Sequence, residues 1–139
     1  MSITSSDSTV TLDAAQAVIE AARAKAAEIG VPMNIAVVDD GNNLVAFARM
    51  ENAWLGSIDI AQSKAYTARA FDIPTKDLVP LVQPGGPLYG LEASNQGRMI
   101  VFPGGIPLTS GGSVVGAIGV SGGAVEQDQA VAEAGAAAF

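Results

Sequence analysis

MNIAVVDDGNNLVAFARM, residues 33–50, is the stretch whose reading decides the fold. Two β-rich runs, Met33–Asp39 and Leu44–Met50, flank the turn residues Asp40, Gly41, Asn42 and Asn43. Asp-Gly and Asn adopt positive φ at little cost, so the pattern predicts a β-hairpin. Two strands joined so tightly must run antiparallel. Upstream, LDAAQAVIEAARAKAAEIG (12–30) is dense in strong helix formers. Thr11 is placed to cap that helix, and Gly30 with Pro32 to stop it. Downstream, Ser57 is the expected cap of a second helix, IDIAQSKAYTARAF, which ends before Ile73-Pro74. Thr75 is the expected cap of a short third helix, KDLVPLV. QPGGPLYGLEASNQG (83–97) reads as a long loop. Strands are then expected around Met99–Phe102 and Ser113–Ser121, with a further short one over Ile106–Thr109. Gly116 and Gly119, costly inside a strand, suggest a bulge or a close backbone approach. A last helix spans roughly Val125–Ala138. The class is α+β, with helices covering a largely antiparallel sheet.

The chain has 139 residues, and at about 150 residues per domain this leaves room for one. We place it at residues 11–139, behind a flexible leader at residues 1–10. A hydrophobic share of 49% supplies a core, yet only 5% is aromatic, so Ala, Gly and Val must do most of the packing. Fourteen Asp and Glu against seven Lys and Arg give a net charge of −7. No basic residue follows Arg98. Nucleic acid demands a basic stripe that is missing here, so neither nucleic acid nor an anionic membrane is an expected partner. The absence of cysteine and histidine excludes disulfides, thiolate nucleophiles, zinc-thiolate sites and Ser-His-Asp chemistry within the chain. No run approaches the ~18 apolar residues of a membrane span. The first ten residues lack the basic head and apolar centre of a signal peptide, and a cytoplasmic location is the expectation.

Five features bear on chemistry. At 100° per residue, Lys64 falls on the apolar arc of its helix with Ile60, Ala61, Ala65, Ala68 and Phe71, while Asp59, Gln62, Ser63 and Tyr66 lie opposite. A lysine on an inward face is costly unless paired. It either snorkels, meets a structural carboxylate, or clamps an anion as a cation or base of lowered pKa. Arg49 ends a strand that is apolar on both faces, and it either pairs with Glu51 or helps Lys64 build a cationic pocket for a carboxylate. Trp54, the only tryptophan, sits in the loop ENAWLGS as a pocket lid, an interface anchor or a core plug. The Gly pairs 85–86, 104–105 and 122–123 serve either turns or backbone anion nests. Asp39-Asp40 has the chemistry for a hard cation, but a hairpin turn uses Asp for its own reasons, and no metal site is expected.

The succession VVDDGNNLVAFARMENAWLGSIDIAQSKAYTA, PGGPLYGLE, VFPGGIPL and GGSVVGAIGVSGGAVEQDQAVAEAGAA resembles the GlcG/HbpS-like family, often labelled haem-degrading or haem-binding. The likeness runs from about Thr11 to the C-terminus. It implies a profilin-like α/β/α layer fold with an antiparallel sheet of about five strands, assembly into homo-oligomers, and kinship with the C-terminal domain of PduO-type corrinoid adenosyltransferases. It also implies an accessory place in catabolism, and haem as a possible cofactor. The chain departs from the family pattern twice. Gly41-Asn42-Asn43 stands where Gly-Gly-His is common, and Arg49-Met50-Glu51-Asn52-Ala53 where Arg-Met-Asp-Gly-Ala is common. Haem would then be held by its propionates on Arg49 or Lys64, with Tyr66, Tyr89 or a methionine as axial ligand.

The leading expectation is a small oligomeric binding protein. It would hold haem or another carboxylate-bearing planar molecule near Arg49, Glu51, Asn52, Trp54, Lys64, Tyr89, Gly104 and Gly105. The second is a histidine-free lyase, isomerase or hydrolase for a small hydroxy- or oxo-acid, with Arg49 as clamp and Lys64 or Glu51 moving a proton. The third is a structural partner of a catabolic enzyme, which predicts an exposed apolar patch around Trp54.

Overall fold

The computed structural model describes residues 9–139. The first eight residues of the expected leader lie outside that range. Its last two are docked: Val10 is buried in the core, and the Thr9 hydroxyl accepts from the Asp40 N–H at 3.3 Å.

Helix α1 spans Leu12–Ile29. The Thr11 hydroxyl accepts from the Ala14 N–H at 3.1 Å, and Gly30 closes the helix in the left-handed region at φ 74°. Both ends are where local chemistry puts them. Strands β1 (Asn34–Asp39) and β2 (Leu44–Arg49) form the hairpin. The Asp39 carboxylate binds the turn, accepting from the N–H groups of Gly41 at 3.0 Å and Asn43 at 2.9 Å. Helix α2 covers Gly56–Phe71. Ser57 does not cap it but lies inside it, buried, its hydroxyl 3.0 Å from that of Ser121. The expected third helix is a 3-10 helix over Thr75–Leu81 that carries Pro80. Thr75 caps nothing; its hydroxyl accepts from the Gly105 N–H at 2.9 Å.

The sheet has four strands, not about five. β3 (Gly105–Ser110) and β4 (Ser113–Ser121) complete it, in the order β2-β1-β4-β3, every neighbour antiparallel. Met99–Phe102 is the strand that fails. Met99 is buried and the Ile100 N–H donates to the Thr67 hydroxyl at 2.9 Å, an anchor to α2 in place of a ladder. Gly104, at φ 130°, then breaks extended backbone before β3 begins. Pro107 is accommodated because β3 is an edge strand.

Helix α3 (Val125–Ala137) packs with α1 on one face of the sheet, and α2 packs on the other. The period of two along β1 divides the core accordingly. Ile35 and Val37 join Val18, Ile118 and Val131 in one cluster, while Ala36 and Val38 meet Ala61, Ala65 and Ala68 of α2 in the second. The second layer is built from alanine and glycine, and α2 lies directly on β4. A Cβ at Gly119 would collide with the Ala61 carbonyl oxygen and come within 2.5 Å of the Ala65 nitrogen. The expected close approach is therefore real. The expected bulge is present beside Gly116: between Leu108 and Thr109 the register skips Val115 of β4, and a second shift at Val37/Val38 skips Val45 of β2. No helix among the described residues is long and apolar enough to cross a membrane.

Candidate functional site

Lys64 lies where its helical phase puts it, on the inner face of α2 and 0% exposed. Its ammonium donates to the Asp128 carboxylate at 2.8 Å and to the Val120 carbonyl at 2.8 Å. The ammonium also lies over the Phe102 ring, 5.0 Å from its centroid. Burial lowers the Lys64 pKa from 10.5, and the Asp128 charge and hydrogen bond offset part of that shift. The other Asp128 oxygen accepts from the N–H groups of Gly122 at 3.1 Å and Gly123 at 2.9 Å. The Ser-Gly-Gly segment does form an anion cradle, and the anion is a side chain of the protein itself.

Gly104 and Gly105 belong to the same interior. A Cβ on Gly104 would come 2.6 Å from the Lys64 Nζ. The Gly104 N–H donates to Gln129 at 3.1 Å and the Gly105 N–H to Thr75. Their N–H groups are engaged within the chain, and these glycines let the turn close over the lysine.

Arg49 is apart from this knot. It ends edge strand β2, with β1 between it and β4, and it is exposed. It makes no ion pair with Glu51 or with any other described residue. Glu51 instead lies close enough to Arg23 to raise that guanidinium's pKa, behind the larger contribution of Glu20. The structure therefore brings neither Arg49 and Lys64 into one hollow nor Lys64 and Glu51 to one point. What it does gather is an outer corner. Arg49, Glu51 and Asn52 are exposed there, Trp54 is 64% exposed and Leu55 73%. The loop is tied down from below, where the Nδ2 of buried Asn34 donates to the Trp54 carbonyl at 3.0 Å. The Asn34 Oδ1 has no partner. Tyr89 is exposed in the long loop. Tyr66, by contrast, is engaged: its hydroxyl accepts from Arg98 at 2.9 Å and lies 3.3 Å from the Asn95 Oδ1.

A cleft of about 210 Å³ opens between the hairpin and the outer side of α2. Val38 and Leu44 form one wall and Asp59, Gln62, Ser63 and Tyr66 the other, with Asn42 and Arg98 at its rim. The polar side of α2 is therefore concave surface.

The sequence profile of the family described as haem degrading protein HbpS-like matches residues 10–137. The chain belongs to the HbpS-like family. A Citrobacter freundii homologue, an uncharacterized 15.0 kDa protein from the dhaT-dhaS intergenic region, is 48% identical over 90% of this chain and 88% of its own length. The corrinoid adenosyltransferase PduO of the same organism is 43% identical over 86% of this chain, which spans only 36% of that longer protein. Among solved structures, the PduOC:heme complex matches this HbpS-like chain with a TM-score of 0.89 and 38% identity, covering 91% of it and 92% of the other.

Sequence reasoning missed two residues in this HbpS-like chain. Asp128 showed only as an acid in the first turn of a helix, and nothing in its spacing ties it to a lysine 64 residues away. Arg98 sits in a loop with no periodicity to give it a face.

Proposed function

We propose that the protein is a small binding and accessory protein that holds haem, or another planar carboxylate-bearing molecule, on the corner formed by Arg49, Glu51, Asn52 and Trp54. Family membership together with the likeness to a haem complex at 38% identity carries this reading. The cleft of about 210 Å³ is smaller than the ~300–1,000 Å³ of pockets that enclose drug-sized ligands. A molecule as large as haem therefore rests on an open face. The exposed Trp54 indole supplies a stacking surface and Arg49 supplies a guanidinium with no carboxylate partner among the described residues. With no histidine or cysteine in the chain, the grip falls on the ring and the propionates. Tyr66 is not a free iron ligand, because its hydroxyl is already bonded.

The corner also suits assembly: an apolar patch of Trp54 and Leu55 is what a second copy of the chain or a catabolic enzyme would cover. Kinship with a domain of a corrinoid adenosyltransferase supports the accessory role. The enzyme reading has less support, since Lys64 is enclosed and already paired.

Hemin titration followed at the Soret band tests the reading. Saturable binding is expected, weakened about tenfold by Trp54→Ala or Arg49→Ala, since a stacked ring and a propionate contact each contribute on the order of 1 kcal/mol. Absence of saturation, or binding that both substitutions leave untouched, would overturn it.

A further inference from the structure

The cleft beside α2 uses none of the residues assigned to haem, and its charges are laid out differently. Asp59 and Tyr66 are seven residues apart on one helix, about 10 Å along its axis at 1.5 Å per residue. Arg98 is held over Tyr66, its guanidinium carbon 4.0 Å from the ring centroid. One end of the trough is thus cationic and the other anionic. Neither charge is cancelled, since Asp59 and Arg98 form no ion pair with any described residue. Of the five N–H donors of a guanidinium, Arg98 uses Nε on the Asn95 carbonyl and one Nη2 hydrogen on Tyr66. Between the two ends, Val38 and Leu44 offer apolar surface against the polar stripe Gln62 and Ser63.

We propose that this cleft binds a small aminocarboxylate, with its carboxylate on Arg98 and its ammonium on Asp59. A simple anion would gain Arg98 but meet the Asp59 charge, and a simple amine the reverse. A zwitterion satisfies both. The volume agrees: about 210 Å³, at the ~30 Å³ that one water occupies in the liquid, corresponds to roughly seven non-hydrogen atoms. Methylene groups between the charges would lie on Val38 and Leu44. Asn42 is tied to α2 at the Tyr66 end, and its carbonyl oxygen, an acceptor, offers nothing to a carboxylate. Its Nδ2 donates to the Tyr66 carbonyl at 3.1 Å, while its Oδ1 is shielded from solvent without a donor.

The test is an NMR titration of isotopically labelled protein with 4-aminobutyrate, compared with butyrate, butylamine and 4-hydroxybutyrate. Saturable amide shifts at Asn42, Gln62, Ser63 and Tyr66 are expected for 4-aminobutyrate, with affinity at least tenfold above each of the other three. Asp59→Asn and Arg98→Gln should each weaken it about tenfold. Asp59 is exposed and its carboxylate bonds to no described residue, so Asp59→Asn decides the matter if Arg98→Gln disturbs the Tyr66 stack. Equal binding of butyrate or 4-hydroxybutyrate, no saturation, or an Asp59→Asn protein that binds as the parent does would overturn the proposal. Hemin affinity should be unchanged in Asp59→Asn, so failure here and failure of the haem reading are separable.

Discussion

Lys64 and Asp128 set the terms at the scale of single residues. A buried ion pair adds little net stability, but removing one partner strands the other at a cost of about 3–5 kcal/mol. The two deletions should not cost the same. Lys64→Met leaves the Asp128 carboxylate its two backbone donors, Gly122 and Gly123. Asp128→Leu leaves the Lys64 ammonium only the Val120 carbonyl, its charge uncompensated, and strands both N–H groups as well. Chemical denaturation is expected to show Asp128→Leu as the more damaging by about 1–3 kcal/mol, the desolvation cost of an orphaned donor. Equal losses would show that the Gly-Gly cradle contributes nothing. The lowered Lys64 pKa also has a consequence for pH. Between its folded value and 10.5 the unfolded chain binds more protons, so this group's contribution to stability rises with pH across that window and is flat below it. The measured stability of the parent protein, minus that of Lys64→Met at each pH, should rise as pH approaches 10.5 from below. The inward phase of Lys64 was legible from helical spacing. The identity of its partner was not, because a contact across 64 positions leaves no local trace.

At the scale of elements, the hairpin and α1 were legible because their ends are set within a few residues. Asp39 bonds its own turn, and Thr11 and Gly30 terminate α1 by local hydrogen bonds. Met99–Phe102 has the composition of a strand, yet the ladder positions beside β4 are taken by β1 and β3. Its backbone is satisfied through Thr67 instead. Ser57 likewise has the chemistry of a cap, but tertiary packing claims its hydroxyl for Ser121. The tight seating of α2 on β4 yields a further prediction. Gly119→Ala drives a methyl into helix backbone and should cost about 3 kcal/mol, the upper range for overpacking. Gly30→Ala meets no atom within 4 Å and should cost only about 1 kcal/mol, from its positive φ. Thermal or denaturant midpoints of the two variants check the ranking. A Gly119→Ala protein as stable as the parent would mean that helix and sheet can part without loss.

For the whole molecule, charge and composition act without regard to fold. A net charge of −7 with no basic residue after Arg98 should leave the protein unretained on heparin at neutral pH, and duplex DNA unshifted in its presence, at low salt where such attraction is strongest. Retention would show that the few cations gather into a patch despite the overall sign. The α+β class, the antiparallel sheet, the scarcity of nucleophiles and the anionic character follow from the amino-acid sequence alone, because each depends on composition or on contacts within a few residues. Tertiary structure alone decided which cations remain available. Lys64 is consumed by an acid from the far end of the chain, Arg49 is left on an edge strand, and Arg98 is carried to the rim of a cleft opposite Asp59. Local sequence specifies which way a side chain leaves its own helix or strand. What waits there is set by the packing of elements remote along the chain.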